Sequence, residues 1–330
     1  MNAAVETREA APIARRHASS FAFAACSATA VLHTAAFPPF DLAETAWVFA
    51  VSVLLWAVRE TRWGRFLVAV FAASFASWLV LLEWLREVTW AGPFGLAAVM
   101  ALFPTAWFAG ARFGFPDLAG RHWAARLSMI AGLAGWWVVL EWVRSWFLTG
   151  FPWLPLAASQ WQRPLLLQTA AIGGAWTVSF ALVFANLCLA AALIRSPGRR
   201  DWRRRIFSAE AYAGAVMAVF VVSFGLFARA GQKREPFLNA GVVQPNVPRM
   251  VKWDPAAAPE IFHQLEAQTR EVARLNSDAI FWPEAITPVP IAGDAPTEAW
   301  VANLARAADR PIVGGAVAIR FDSRITLNSV

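Results

Sequence analysis

Long apolar runs broken by short arginine-bearing segments fill the first 230 positions of the chain, and a different pattern follows them. A transmembrane helix needs about 20 mostly apolar residues to cross roughly 30 Å of hydrocarbon. Seven runs approach that length, at about 19–37, 44–58, 65–85, 93–111, 127–147, 168–194 and 207–229. The second is short, and Pro38-Pro39 predicts that the first two form a tight hairpin. After Ala230 a polar linker, Gly231-Gln232-Lys233-Arg234-Glu235-Pro236, leads into short apolar runs alternating with amphipathic ones. These predict strands at 239–243, 279–282 and 311–318 and helices at about 257–275 and 297–308. The fold class expected is therefore a polytopic α-helical membrane domain of about seven helices followed by an α/β layered segment. The corresponding boundaries are an N-terminal tail at 1–18, a helical membrane domain at 19–230 and a separate domain at 231–330.

Composition supports the membrane reading. The 330 residues are 58% hydrophobic and 15% charged, with 19 Trp and 25 Phe, against roughly 45–50% apolar and about 25% charged in ordinary soluble domains. All but Lys233 and Lys252 of the 29 basic residues are arginine. Lys and Arg accumulate in short cytoplasmic loops. With the N-terminus inside, the clusters Arg8/Arg15/Arg16, Arg59/Arg62/Arg65, Arg112/Arg121/Arg126 and Arg195 to Arg205 are all cytoplasmic, and only Arg86 and Arg163 fall in opposite loops. Seven crossings then put everything after Ala230 outside. The aromatics lie within apolar runs and not beside exposed basic grooves, which argues against nucleic-acid binding. Cys26 and Cys188 sit in apolar runs as small buried residues. The histidines His17, His33, His122 and His263 lack metal-ligand spacing, so no metal site is expected.

Asp278-Ala279-Ile280-Phe281-Trp282-Pro283-Glu284 is an apolar strand stopped by Pro with a carboxylate just beyond it. Ligands of α/β sheets gather at the carboxyl ends of strands, so Glu284 stands where an acid or base acts, beside Trp and Pro that would raise its pKa by desolvation. A solvated helix-start residue gives the same pattern. Val243-Gln244-Pro245-Asn246, followed by Lys252-Trp253, is another strand running into a Pro-fixed turn, readable as turn chemistry or as a binding loop. In the membrane part, Glu141 and Arg144 are three apart on one helix face, a polar pair of either structural or substrate-binding role. Glu83 and Arg86 repeat the spacing. Thr149-Gly150-Phe151-Pro152-Trp153 falls in an outer loop, where Phe151, Pro152 and Trp153 act as interface anchors or admit a lipid.

Together these stretches, with Phe37-Pro38-Pro39-Phe40-Asp41-Leu42, Ser159-Gln160 and Asn328-Ser329, resemble the bacterial apolipoprotein N-acyltransferases. The resemblance implies a membrane enzyme of the bacterial inner membrane in which eight helices surround a periplasmic nitrilase-like domain of αββα sandwich type, so residues 231–330 are expected to be part of such a domain. It implies a Glu-Lys-Cys triad that takes an acyl chain from membrane phospholipid as a thioester. The chain then passes to the N-terminal diacylglyceryl-cysteine of an apolipoprotein. Glu284 falls on the general base, and Phe151, Pro152, Trp153, Gln244, Asn246, Lys252 and Trp253 are carried over as substrate-binding residues. No metal or diffusible cofactor and no nucleic acid are implied, and the expected state is a monomer. The sequence departs from the family in one respect: no Lys or Cys follows Glu284, and the eighth helix is not found. The expectation is a C-terminally truncated chain, inactive alone. The alternative is a catalytically silent membrane-anchored module that binds lipid or protein.

Overall fold

The computed structural model describes residues 3–195, 207–231, 238–320 and 325–329, which fall into two compact units, Met1–Gln232 and Lys233–Val330. In the first unit the helices are α1 (Ala3–Ala35), α2 (Val51–Ala57), α3 (Trp63–Leu81), α4 (Gly92–Gly114), α5 (Trp123–Arg144), α6 (Ala175–Arg195) and α7 (Ala209–Ala230), with single turns between them. Among the described residues five helices, α3 to α7, are long and apolar enough to cross a membrane. The protein is thus a multi-pass membrane protein by length and composition of its helices. Neighbours in sequence pack as neighbours in space: α3 against α1 and α4, and α6 against α5 and α7. Their shared core holds Trp107, Phe37, Phe49, Phe66 and Phe108, all fully buried. Helix α7 sits at the edge with Val216, Val219 and Phe227 exposed, the surface expected of a helix facing lipid.

Two of the expected spans are not continuous helices. The run 44–58 is a 3₁₀ turn, Ala43–Trp47, and the short α2, with a break at 48–50. In hydrocarbon a broken backbone must find its partners inside the protein, and here it does. Asn186 of α6 accepts a hydrogen bond from the Ala50 amide and donates one to the Ala46 carbonyl, both at 2.9 Å. A continuous helix would join those same two groups directly, since 46 and 50 are four apart. The carboxamide therefore stands in for a missing rung. Thr29 Oγ1 donates to the Phe49 carbonyl at 2.8 Å and Ser52 Oγ to the Ala25 carbonyl at 2.9 Å, so α1 covers the rest of the break. The run 168–194 likewise begins as a separate turn, Ala170–Gly173, before Gly174 at φ 67° redirects the chain into α6. Only glycine takes that backbone region without penalty.

The loops sort to two ends. At one, Gln160 donates to the Ala43 carbonyl at 2.8 Å, Trp161 to Asp41 at 2.9 Å, and Arg163 to Glu44 at 2.9 Å. At the other, the Arg112 guanidinium stacks over Trp63 and Phe66, Arg65 reaches Ser19, and Arg126 forms a buried ion pair with Glu210. The arginine clusters at 59–65 and 112–126 thus share one end, opposite Arg163. The arginines at 195–205 lie outside the described residues apart from Arg195, the last residue of α6.

The second unit carries a parallel three-stranded sheet, β1 (Ala240–Val242), β2 (Ala279–Trp282) and β3 (Ile312–Gly314), in the order β1-β2-β3. Parallel neighbours need a crossover, usually a helix, and α8 (Ala258–Ala273) and α9 (Ala295–Ala308) supply the two here. Helix α8 buries Ile261, Leu265 and Thr269, one turn apart on one face, which is the stripe expected of a helix lying on a sheet. Its Thr269 accepts a hydrogen bond from the Trp282 indole at 3.1 Å, so the polar tip of a buried Trp is satisfied. Val243, Leu265, Ile280, Trp282, Ile286 and Leu304 form the core. On the outer face of α8, Arg270 hydrogen-bonds Glu266 four residues earlier at 2.7 Å and holds its carboxyl below the usual range. The expected strand 311–318 is two strands. Gly315 separates β3 from β4 (Ala316–Arg320), which leaves the parallel sheet and pairs antiparallel with β5 (Ile325–Ser329).

Candidate functional site

The sheet of the second unit aims three chain exits at one edge. In its parallel register Val242 lies beside Phe281, and Phe281 beside Val313. The residues just past these strands therefore gather together: Gln244 and Asn246 after β1, Pro283 and Glu284 after β2, and Gly315 after β3. The carboxyl edge of a parallel sheet is where such folds bind ligands.

Glu284 is held there by its backbone. The next residue, Ala285, has φ 48°, a conformation that costs a non-glycine residue of order 1 kcal/mol or more. Its amide donates to the Gly315 carbonyl at 3.0 Å. Lys252 reaches the same turn from the β1 side, donating from Nζ to the Glu284 carbonyl at 3.4 Å, and its ammonium stands 5.5 Å from the Trp253 ring centroid. Sequence reasoning missed Gly314 and Gly315. A Cβ on Gly315 would lie 3.0 Å from the Glu284 Cα, and one on Gly314 would lie 3.0 Å from the Trp282 Cβ. Two adjacent glycines ending a strand were the available signal, because glycine in a strand marks a close backbone approach.

The sequence expectation placed Glu284 beside a desolvating wall of Trp282 and Pro283. The structure instead turns Trp282 into the core and leaves Glu284 exposed. The reason is that Trp282, the last residue of β2, packs into the core and donates its indole N–H to Thr269 of α8, so its ring is spent there. Gln244 and Asn246 are also exposed, with Asn246 at φ 51°, which Asn tolerates better than most residues. Gln264 of α8 donates to the Pro245 carbonyl at 3.0 Å and fixes this loop between them.

The remaining predicted residues belong to the first unit. Phe151 is half-buried and packs on the helical core, while Pro152 and Trp153 are exposed. Trp153 lies 5.5 Å from Trp84 between ring centroids, and Phe151 lies 6.5 Å from Trp153. Trp146, Phe147 and Leu148 are exposed in the same loop, so it presents a broad aromatic surface of the kind found at membrane interfaces. Leu148, Thr149, Gly150 and Leu154 all have positive φ, which makes this the most contorted stretch of the first unit.

Glu141 and Arg144 share a helix face as expected but do not pair directly as Glu83 and Arg86 do, at 2.9 Å on the surface. Each turns to the loop backbone instead. Glu141 accepts from the Leu156 amide at 2.7 Å, Arg144 donates to the Leu154 carbonyl at 3.3 Å, and the Phe151 amide donates to the Arg144 carbonyl at 2.9 Å. Nearby, His33 and Thr34 of α1 both hydrogen-bond Ser77 of α3 at 2.8 Å, a polar cluster that the scattered histidines gave no hint of. Cys26 and Cys188 are free and buried within the helices, and among the described residues no cluster of His, Cys, Asp or Glu is placed to hold a metal.

Residues 29–188 match the family model described as apolipoprotein N-acyltransferase N-terminal domain. Similar proteins bear the name apolipoprotein N-acyltransferase. The one from Azotobacter vinelandii is 30% identical over 274 residues, covering 76% of this chain and 48% of that protein. Those from Allorhizobium ampelinum and Pseudomonas putida are each 29% identical, over 77% of this chain and 49% and 50% of their own lengths. The chain spans about half the length of the curated relatives it matches.

Proposed function

We propose, for a chain that is a relative of the apolipoprotein N-acyltransferases, that it works in the transfer of a fatty acyl group from membrane phospholipid to the N-terminal diacylglyceryl-cysteine of apolipoproteins. The observation that carries this reading is the position of Glu284. It stands at the carboxyl edge of a parallel sheet, on a strained turn braced by Gly315 and Lys252, in the same chain as a membrane domain of this family.

Glu284 acts as general base. It removes the proton of a thiol so that the thiolate attacks the phospholipid ester carbonyl, and the acyl group leaves its glycerol oxygen for sulfur. The acceptor amine then attacks the thioester, and the thiol is released for another cycle. No Lys or Cys follows Glu284 in the 330 residues, so these residues alone supply the base without the nucleophile. The exposed loop at Phe151, Pro152 and Trp153 admits or seats the lipid, and Gln244, Asn246, Lys252 and Trp253 line the acceptor side. Residues 231–330 serve as part of a nitrilase-like domain on the periplasmic side of the inner membrane, with the arginine-rich end of the helical unit cytoplasmic. The protein acts as a monomer.

The alternative is a catalytically silent membrane-anchored module that binds lipid or protein, which the exposed loop surface of Trp146, Phe147, Leu148 and Trp153 favours. The two separate in a depletion strain lacking its own N-acyltransferase. The transferase reading expects a chimera of these 330 residues with the C-terminal half of the Azotobacter vinelandii relative to add a third acyl chain to lipoproteins, and the 330 residues alone to add none. Lipoproteins left diacylated by the chimera would support the silent module.

A further inference from the structure

Four buried polar atoms of the first unit have no protein hydrogen-bond partner and belong to residues lining one cavity: Trp78 Nε1, Trp137 Nε1, Glu141 Oε2 and Arg144 Nε. His33 and Leu154 line it as well, and its volume is about 20 Å³. Buried polar groups in proteins are almost always satisfied, and an orphan in a low-dielectric interior costs of order 1–3 kcal/mol. Four orphans on the residues lining one cavity therefore mark a ligand site. A cavity holds a water once it offers roughly 10–15 Å³ and two to four polar partners. This one has room for a single water and little else.

We propose that a structural water occupies this cavity, accepting a hydrogen bond from Arg144 Nε and donating one to Glu141 Oε2, and that the water-bridged pair latches the contorted outer loop to α5. The chemistry of the lining selects the occupant. An anion would meet the Glu141 carboxylate, and a cation would meet the Arg144 guanidinium and two indole donors. Water alone both donates and accepts.

The bridge explains why the two charges, on one helix face yet not in direct contact, keep their other polar atoms on the Leu154 carbonyl and the Leu156 amide. Those bonds hold both ends of the 154–156 turn, and the Phe151 amide is tied to α5 as well. Glu141 and Arg144 are thus positioning residues for the aromatic loop. The inference does not depend on the proposed transferase activity.

The test is hydrogen exchange by mass spectrometry on the protein in lipid nanodiscs, comparing wild type with Glu141→Gln, together with a cryo-EM map of the wild type at a resolution that shows waters. Gln keeps the acceptor for Leu156 but replaces the charged acceptor Oε2 with a neutral donor, so the water must accept from both sides and the charge-assisted hydrogen bond of the bridge is lost. The peptide holding 151–156 should exchange about tenfold faster in the variant, while the middle of α5 stays protected. The map should show one density within hydrogen-bond distance of both Glu141 and Arg144. A direct Glu141 to Arg144 contact in the map, or unchanged loop exchange in a folded variant, overturns the proposal. If Glu141→Gln does not fold, the map alone decides: one density bridging Glu141 and Arg144 supports the proposal, and a direct contact between them overturns it.

Discussion

Replacing Asn186 with Ala attacks a place where a side chain stands in for a rung of the helical backbone. The carboxamide bridges the Ala50 amide and the Ala46 carbonyl, each at 2.9 Å, and both residues are buried. Without it, one donor and one acceptor are stranded among apolar side chains, at about 1–3 kcal/mol each. A cavity from the lost carboxamide adds to this, since the site is fully buried and closely packed. Hydrogen bonds in membrane proteins measure on average only about 0.6 kcal/mol, because the unfolded chain in lipid finds other partners. That discount is partial here, as the partner lost served two backbone groups at once. The expected destabilisation is therefore about 2–4 kcal/mol, read from unfolding in mixed micelles by titration with a denaturing detergent. Asn186→Asp should cost more than Asn186→Ala, because it keeps the acceptor for Ala50 but opposes the Ala46 carbonyl with a second acceptor and buries a charge. A loss under about 0.5 kcal/mol for Ala would mean that 43–57 closes into a continuous helix when the wedge is gone, and would refute the stand-in reading.

Two further outcomes follow from packing. Gly315→Val places a side chain against Glu284, whose Cα would be 3.0 Å from the new Cβ. The Ala285 amide should then exchange about tenfold faster as its bond to Gly315 is strained, with the rest of the sheet unchanged. Glu210→Gln leaves Arg126 charged and buried without its counter-ion, so the helical unit should lose about 3 kcal/mol in the same micelle titration.

The chain announces some of this structure and hides the rest for identifiable reasons. Apolar length gave α3, α4, α5 and α7 to within four residues at each end, because a lipid-facing helix needs no other signal. Length failed at 44–58, where the break depends on Thr29 and Asn186, partners 20 or more positions away that no local pattern connects to it. In the second unit β2 was legible from its unbroken apolar run, while the strand at 311–318 was overextended because Gly315 was not weighed as a strand end. The place of Glu284 just beyond a sheet strand was legible from the Pro-stopped apolar run before it. The exposure of Glu284 was misjudged because the ring of Trp282 is spent on the core against α8. The spacing of Glu141 and Arg144 revealed a shared face, yet not that both would turn to the loop, since that choice is made by the backbone of 154–156.

The measurement that tests the central claim most directly is the mass of the N-terminal peptide of a lipoprotein, taken from cells depleted of their own N-acyltransferase and supplied with the chimera of these 330 residues and the C-terminal half of the Azotobacter vinelandii relative. The peptide is predicted to gain one fatty acyl group with the wild-type sequence and to remain diacylated with Glu284→Gln. A triacylated peptide from the Glu284→Gln protein would contradict the assignment of the base, and a diacylated peptide from the wild type would contradict the transferase itself.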